Sequence, residues 1–590
     1  MKIIFRYMKK YTGWILLAVT LKLLSTVFEL FIPYVLEHII DTIVPQCREQ
    51  EDIMTVIRWG LLMFGTALLA WAFNVSANRA AIRNAHNVSY DIRQALFVKT
   101  MNLTGRQFDK AGLPSLISRM TSDSYNVQTA VQQLQSLCVR APLMLFGGLV
   151  MMLMLDVRLA MILVYILPFL FAVIFFVTAR GIPMFKAVQE KLDDVVRIMR
   201  ENITGIWVVK ALSKTEYEKK RFEGANQSMM DSDVRASTAM ALPWPLMSLL
   251  LNIGLTLVVL VGARRVDAGL MDPGVILAFL TYFNMITMGV MGMNRIFISL
   301  SRASASANRM GEVIDLPLDD NILPPEEGKK PHGDEFIRFE HVNFSYVSGG
   351  STKKEDFAGG SRENALKDID FALKKGESLG IIGPTGCGKT TIINLLMHFY
   401  DTEDGGVFVD GRDVRTYEKD ELHAKFGTVF QNDMIFRDTL YNNVDFGRGI
   451  GEETIRQSIE DAQVSSYIDS LDKGLQYEAD IRGANLSGGQ KQRIMVARAL
   501  AGRPEILVLD DSSSALDYKT DAAMRRAIAA HQQDATVIMI AQRVSSVMNM
   551  TNILVMDNGA CIGYGTHEQL LRNCPAYKEI FDTQMGAMAE

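Results

Sequence analysis

The stretch Gly383-Pro384-Thr385-Gly386-Cys387-Gly388-Lys389-Thr390-Thr391 holds the residue types best suited to chemistry. An apolar run at 378–382 precedes it and predicts a strand. A second run at 392–397 follows and predicts a helix. Glycines at this spacing let backbone N–H groups turn inward around phosphates, and a helix N-terminus adds partial positive charge. Lys389 is placed to reach the outer phosphates and Thr390 to hold Mg²⁺. The loop therefore predicts nucleoside triphosphate binding. Cys387 lies inside it, where a helix N-terminus lowers a thiol pKa and favours attack by thiol reagents. The alternative is a small loop residue with no chemistry of its own.

Two further clusters belong with this loop. Glu505-Ile506-Leu507-Val508-Leu509-Asp510-Asp511 is an apolar run ending in two carboxylates. A buried strand that delivers Asp510 at its C-terminal end suits Mg²⁺ beside the phosphates. Asn485-Leu486-Ser487-Gly488-Gly489-Gln490 precedes a helical run and forms a second anion-binding N-terminus. One nucleotide does not need two such sites, so the second is expected to address the nucleotide of another subunit. Tyr346 ends an alternating strand at 336–346, where an aromatic stacks on a base or simply packs.

The elements that position these residues occupy the second half of a 590-residue chain. The first half is apolar. A spanning helix needs about 20 mostly apolar residues, and six segments qualify: 14–37, 53–75, 137–155, 159–179, 241–262 and 275–299. The basic start at 1–10 leads into a first membrane helix rather than a cleaved signal, and no peptidase segment is expected before it. The loops after the second and fourth spans are long, helical in period and rich in Lys and Arg. That bias places both termini, both long loops and the nucleotide domain in the cytoplasm of a multi-pass protein in the cell membrane. Breaks near 108–116 and 205–212 read as docking turns or as simple loop tips. Lys22, Glu29, Arg140 and Arg295 fall within spans, where charge pairs, lines a cavity or snorkels. Met-rich spans (Met144, Met151, Met152, Met154, Met285, Met288, Met291, Met293) suit a varied apolar ligand or plain packing. Residues 313–333 form a linker, and 347–364 a polar insertion. The net charge of −5 argues against a nucleic-acid partner. The five cysteines (Cys47, Cys138, Cys387, Cys561, Cys574) show no metal spacing or disulfide framework.

With these motifs in hand, the chain resembles the ATP-binding cassette (ABC) exporters over nearly its whole length. Residues 383–390 match the family's Walker A motif, Leu486-Ser487-Gly488-Gly489-Gln490 its signature, and 506–510 its Walker B motif. Gln431 resembles the Q-loop residue that reaches Mg²⁺ and the membrane domain. Tyr346 resembles the adenine-stacking aromatic, and 514–517, ending in Asp517, the D-loop. Phe108-Asp109 and Gly205-Ile206-Trp207-Val208 resemble stretches around the two coupling helices. The resemblance implies an all-α six-helix transmembrane domain with long cytoplasmic extensions (1–312), followed by an α/β P-loop NTPase domain of ABC type (334–590). It also implies ATP and Mg²⁺ as cofactors. In the implied head-to-tail dimers, each ATP lies between one chain's Walker motifs and the other's Ser487–Gln490 and Asp517 equivalents.

Two departures matter. The residue after the Walker B aspartate is usually a glutamate general base, and here it is Asp511. The switch histidine is replaced by Gln542. More mildly, Ile481 stands before the signature where glutamate is common. Asp is one methylene short, and glutamine cannot share a proton as histidine can. Both losses fall in one composite site, while the intact signature belongs to the other. The expectation is a heterodimer resembling bacterial multidrug exporters, in which this chain holds ATP slowly and completes a faster site on a second half-transporter carrying Glu and His. The cargo is expected to be hydrophobic or amphipathic, drug-like or lipid. Competing readings are an ATP-gated regulator or channel-like subunit and a homodimeric exporter. An importer is disfavoured by the fusion of the two halves.

Overall fold

The computed structural model describes residues 1–46, 53–317, 322–324, 327–333, 335–346, 364–431, 433–512 and 514–586. Cys47 and nearly all of the 347–364 insertion lie outside the described residues. The chain forms two compact units, one of 1–100 with 114–316, the other of 101–113 with 317–590.

The first unit is helical. Ile53–Met101 is a single helix of 49 residues, about 74 Å at 1.5 Å per residue, more than twice a hydrocarbon core of about 30 Å. Val157–Thr204 and Pro273–Ile314, of 48 and 42 residues, are similarly extended, and Thr215–Ala241 adds a further 27. The long loops read from sequence are therefore continuations of helices. Between Ser124–Gln135 and Leu137–Pro142 the helix breaks at Ser136, whose hydroxyl donates to the Gln132 carbonyl at 2.9 Å. A side-chain bond of that kind competes with the helical ladder. Among the described residues, five stretches are long and apolar enough to cross a membrane: Lys2–Gln46, Ile53–Met101, Leu113–Leu155, Thr215–Asp267 and Pro273–Ile314. The expected span at 159–179 is represented among the described residues by the shorter apolar piece Val157–Val173. The unit's core gathers Leu30, Met144, Met152, Leu163, Phe279 and Ile286. Met144 and Met152 thus act as packing, whereas Met154 and Met288 are exposed.

Three of the four charges within the expected spans have partners. Glu29 accepts from Arg140 at 2.7 Å. Lys22, 4% exposed, donates to Asn74 at 2.6 Å and Asn78 at 3.1 Å. Arg295 is exposed. Asp41 accepts from the Gly274 and Val275 N–H groups at 2.6 and 3.1 Å, satisfying the start of helix Pro273–Ile314.

The second unit is built on a sheet of strands β1 (Ile337–Ser345), β2 (Asn364–Leu373), β3 (Ser378–Ile382), β4 (Asp404–Val409), β5 (Arg412–Asp413), β6 (Phe426–Val429), β7 (Ile506–Asp510), β8 (Thr536–Ile540), β9 (Asn552–Asp557) and β10 (Ala560–Gly565). Their order is β5-β4-β1-β2-β10-β9-β3-β8-β7-β6. The half that carries β3, β6, β7 and β8 is parallel. Its central strands β7 and β8 are almost wholly apolar, as strands buried on both faces are. Parallel strands bring their C-terminal ends to one edge, so β3 and β7 deliver residues 383–391 and 510–511 side by side.

Residues 101–113 belong to this unit although they interrupt the helical half in sequence. Thr104 caps helix Gly105–Ala111 in a reciprocal box with Gln107. The Gly105 N–H donates to the Phe399 carbonyl at 3.2 Å, and the Tyr400 hydroxyl donates to Asp109 at 2.7 Å.

Candidate functional site

The loop after β3 wraps backward before helix Lys389–Leu396. Gly388 has φ +97, and a Cβ there would lie 2.6 Å from the Ala365 carbonyl. Only glycine fits both the left-handed backbone and the close approach. Lys389 folds over its own loop and donates to the Gly383 and Pro384 carbonyls at 2.9 and 2.8 Å. Thr390 donates to Asp510 at 2.7 Å across the gap between β3 and β7.

Asp510 is 2% exposed at the end of a fully buried strand. Burial pushes its carboxyl above the usual aspartate range; the Thr390 bond opposes this and the neighbouring Asp511 adds to it. Asp511 follows in a left-handed conformation, φ +52, its N–H bonded to the Ile540 carbonyl at 3.0 Å. Its carboxyl is also pushed up by burial, against Lys389 and Arg543. Non-glycine residues at positive φ are uncommon and cluster at functional sites. Gln542 Nε2 stands 3.4 Å from the Asp511 carboxylate. The two departures noted in the sequence are thus direct neighbours.

These groups line an open cleft of about 1000 Å³ with Tyr346, Thr385, Gly386, Thr391 and Gln431. The volume suits a nucleotide. The hydroxyl of Thr390, the carboxylate of Asp510 and the amide oxygen of Gln431 are hard oxygen donors of the kind Mg²⁺ takes, with phosphate and water completing six positions. Tyr346, 37% exposed, is held by its hydroxyl, which donates to Thr391 at 3.3 Å and accepts from Asn394 at 3.2 Å. Its ring packs edge-on against Phe344 and Tyr400, with centroids at 4.9 and 5.3 Å.

Three placements differ from the sequence expectations or add to them. Cys387 is buried at 4% exposure, and burial pushes its thiol up despite Lys389, which suits the small loop residue of the two readings and not the reactive thiol. Lys367 and Asn558 line the cleft, and no motif marked them. Gln492 ties the signature helix to the loop after β7: it donates to Ser514 at 2.9 Å and accepts from the Ala515 N–H at 3.0 Å.

Ser487–Gln490 are not among the residues lining the cleft. Ser487 caps helix Gly488–Ala501, accepting from the Gln490 N–H at 3.3 Å while the Gln490 side chain accepts from the Ser487 N–H at 2.7 Å. Asp517 caps the next helix through Thr520 at 2.9 and 2.8 Å.

Residues 15–290 match the ABC transporter transmembrane region, and residues 366–514 match the ABC transporter domain. An uncharacterised ABC transporter ATP-binding protein of Mycobacterium tuberculosis is 31% identical over 98% of this chain and 97% of its own length. The uncharacterised ABC transporter ATP-binding protein YfiB of Bacillus subtilis is 32% identical over 98% of each. The ATP-dependent lipid A-core flippase of Vibrio vulnificus is 28% identical over 89% of this chain and 88% of its own. Among solved structures, a bacterial Atm1-family ABC exporter with ATP bound superposes with TM-score 0.75 at 20% identity, covering 98% of both chains. The chain belongs to the ABC transporter family and carries the transmembrane region and the ABC transporter domain in one polypeptide.

Proposed function

We propose that this chain is the slow-site half of a heterodimeric ABC exporter. The single observation that carries the reading is the contact of Asp511 with Gln542 at 3.4 Å in one cleft. The general base is short and the proton-sharing switch is absent at the same place. In this reading the loop 383–391 holds the phosphates, Tyr346 stacks on the adenine, and Thr390, Gln431 and Asp510 hold Mg²⁺. None of these parts is altered, so ATP binds. What is weakened is activation of water. A base set back by about 1 Å costs on the order of 100-fold in rate.

A second chain is favoured by two further features. Ser487–Gln490 cap a helix away from their own cleft. Helix Ile206–Ala211 exposes Trp207 at 77% and Val208 at 61%, an apolar tip suited to another cassette. The partner supplies Glu and His, and this chain's signature and Asp517 complete its fast site. Six spans, with helix Val157–Thr204 as the fourth, return the nucleotide domain to the cytoplasm beside both termini. The cargo is apolar or amphipathic, and the relative named as a lipid A-core flippase keeps lipids among the candidates.

The test is co-purification with a half-transporter carrying Glu after its Walker B aspartate and a switch His. The pair should hydrolyse ATP briskly and this chain alone should not. In the pair, Asp511→Glu should change turnover modestly, while the partner's Glu→Gln change should nearly stop it. Equal loss from both changes would overturn the reading.

A further inference from the structure

The segment that carries Gln542 is held from outside its own strand and helix. β8 ends at Ile540, and helix Val544–Val547 begins after Arg543, whose backbone is extended at φ −100 and ψ 127 with no side-chain cap. The peptide groups between them need other partners. Gln584, on helix Pro575–Gly586, supplies both. Its Nε2 donates to the Gln542 carbonyl at 2.9 Å, and its Oε1 accepts from the Val544 N–H at 2.8 Å. One side-chain amide therefore clamps the backbone on either side of Arg543.

The clamp has a firm base. Tyr577 on the same helix is fully buried, and its hydroxyl bonds to His567 at 2.8 Å. Arg525 steadies the far side of the segment by donating to the Ser545 and Ser546 carbonyls at 3.0 and 3.2 Å. Those bonds reach the short helix, whereas Gln584 reaches the Gln542 peptide itself. From that peptide the Gln542 side chain extends to Asp511.

We propose that Gln584 is a positioning residue for the nucleotide site, fixing the Gln542 peptide so that the Gln542 amide stands beside Asp511 and retains bound ATP. The proposal rests on reading this cleft as the ATP-holding site. It adds that the hold is set in part by a helix that does not line the cleft. Gln584 touches no nucleotide in this account and acts through Gln542 alone.

The full-length chain would be loaded with a fluorescent, non-hydrolysable ATP analogue, and its release followed after a chase with excess ATP. Gln584→Ala is expected to speed release about fivefold, the scale of one or two net hydrogen bonds. Gln542→Ala should speed release at least as much. The double variant should then be no faster than Gln542→Ala, because both changes break one linkage. Gln584→Glu, which keeps the acceptor for Val544 but faces the Gln542 carbonyl with a second acceptor, should also speed release, and it serves if the alanine variant fails to fold. Hydrogen exchange of the 541–547 segment should rise in these variants while β3 and β7 stay protected. Unchanged release from a variant with raised exchange, or effects that multiply in the double variant, would overturn the proposal. Because the analogue is not cleaved, brisk ATP turnover by the lone chain would sink the slow-site reading without deciding this result.

Discussion

Asp511 meets Gln542 at 3.4 Å, and in the proposed reading this pair slows hydrolysis while the phosphate loop keeps its grip. Its backbone is left-handed, so the carboxylate cannot recover the missing methylene by extending the main chain. Restoring both groups should restore chemistry: Asp511→Glu with Gln542→His should raise hydrolysis at this chain's own Walker face by on the order of 10- to 100-fold, read as single-turnover cleavage in the assembled transporter. Asp510 makes a separate prediction about pH. Its carboxyl is raised by burial, so it takes up a proton at a higher pH than an ordinary aspartate. Mg²⁺ requires the ionised form. The Mg²⁺-dependent gain in nucleotide affinity should therefore decline on acidification before the usual aspartate range is reached, and nucleotide titrations across the acidic range should show it. Asp510→Asn should abolish that gain and flatten the profile. Thr390, Asp510 and the glycine loop were legible in the sequence because local spacing dictates their chemistry. Lys367 and Asn558 were not. They reach the cleft only because β10 crosses back to lie parallel to β2, pairing Ala560 with Lys367.

At the scale of elements, helix Gly105–Ala111 is the clearest case of a short piece with a defined seat. A Cβ on Gly105 would lie 2.6 Å from the Tyr400 ring and 2.7 Å from the Phe399 carbonyl. Tyr400 touches both Asp109 and the ring of Tyr346, so one aromatic joins this helix to the cleft wall where the proposed reading stacks the base. Gly105→Val should push the helix off its seat. ATP binding to the 383–391 loop should persist, while transport in vesicles and cargo-stimulated ATPase fall several-fold. Tyr400→Phe keeps the ring and removes only the bond to the Asp109 carboxylate, so it should produce a smaller loss of the same kind. Normal transport in both variants would show that this seat carries no coupling. The sequence marked this region as a break in helical pattern. It did not reveal that 101–113 packs as part of the nucleotide unit, because the seat is made by Phe399 and Tyr400, almost 300 residues away. Strands were more legible. β1 alternates and β7 is a pure apolar run, and each pattern states how many of its faces are buried. The interruption at Ser136 was hidden, since a single serine at the junction of the mostly polar stretch 132–135 and the apolar span at 137–155 has no periodic signature.

At the scale of the whole molecule, the chain carries a membrane region and a cassette, and two helix starts in the cassette are placed differently with respect to the cleft. Lys389–Thr390 face the chain's own cleft, and Ser487–Gln490 stay outside it. In the proposed reading such a chain works with a partner, and Asp511 beside Gln542 gives it the holding role. The most direct measurement loads the assembled transporter with a photoreactive ATP labelled at its terminal phosphate, allows turnover, and crosslinks. The account predicts that this chain keeps the terminal label while the partner chain loses it. Equal loss of label from both chains, or a working assembly made of this chain alone that releases phosphate rapidly, would contradict it.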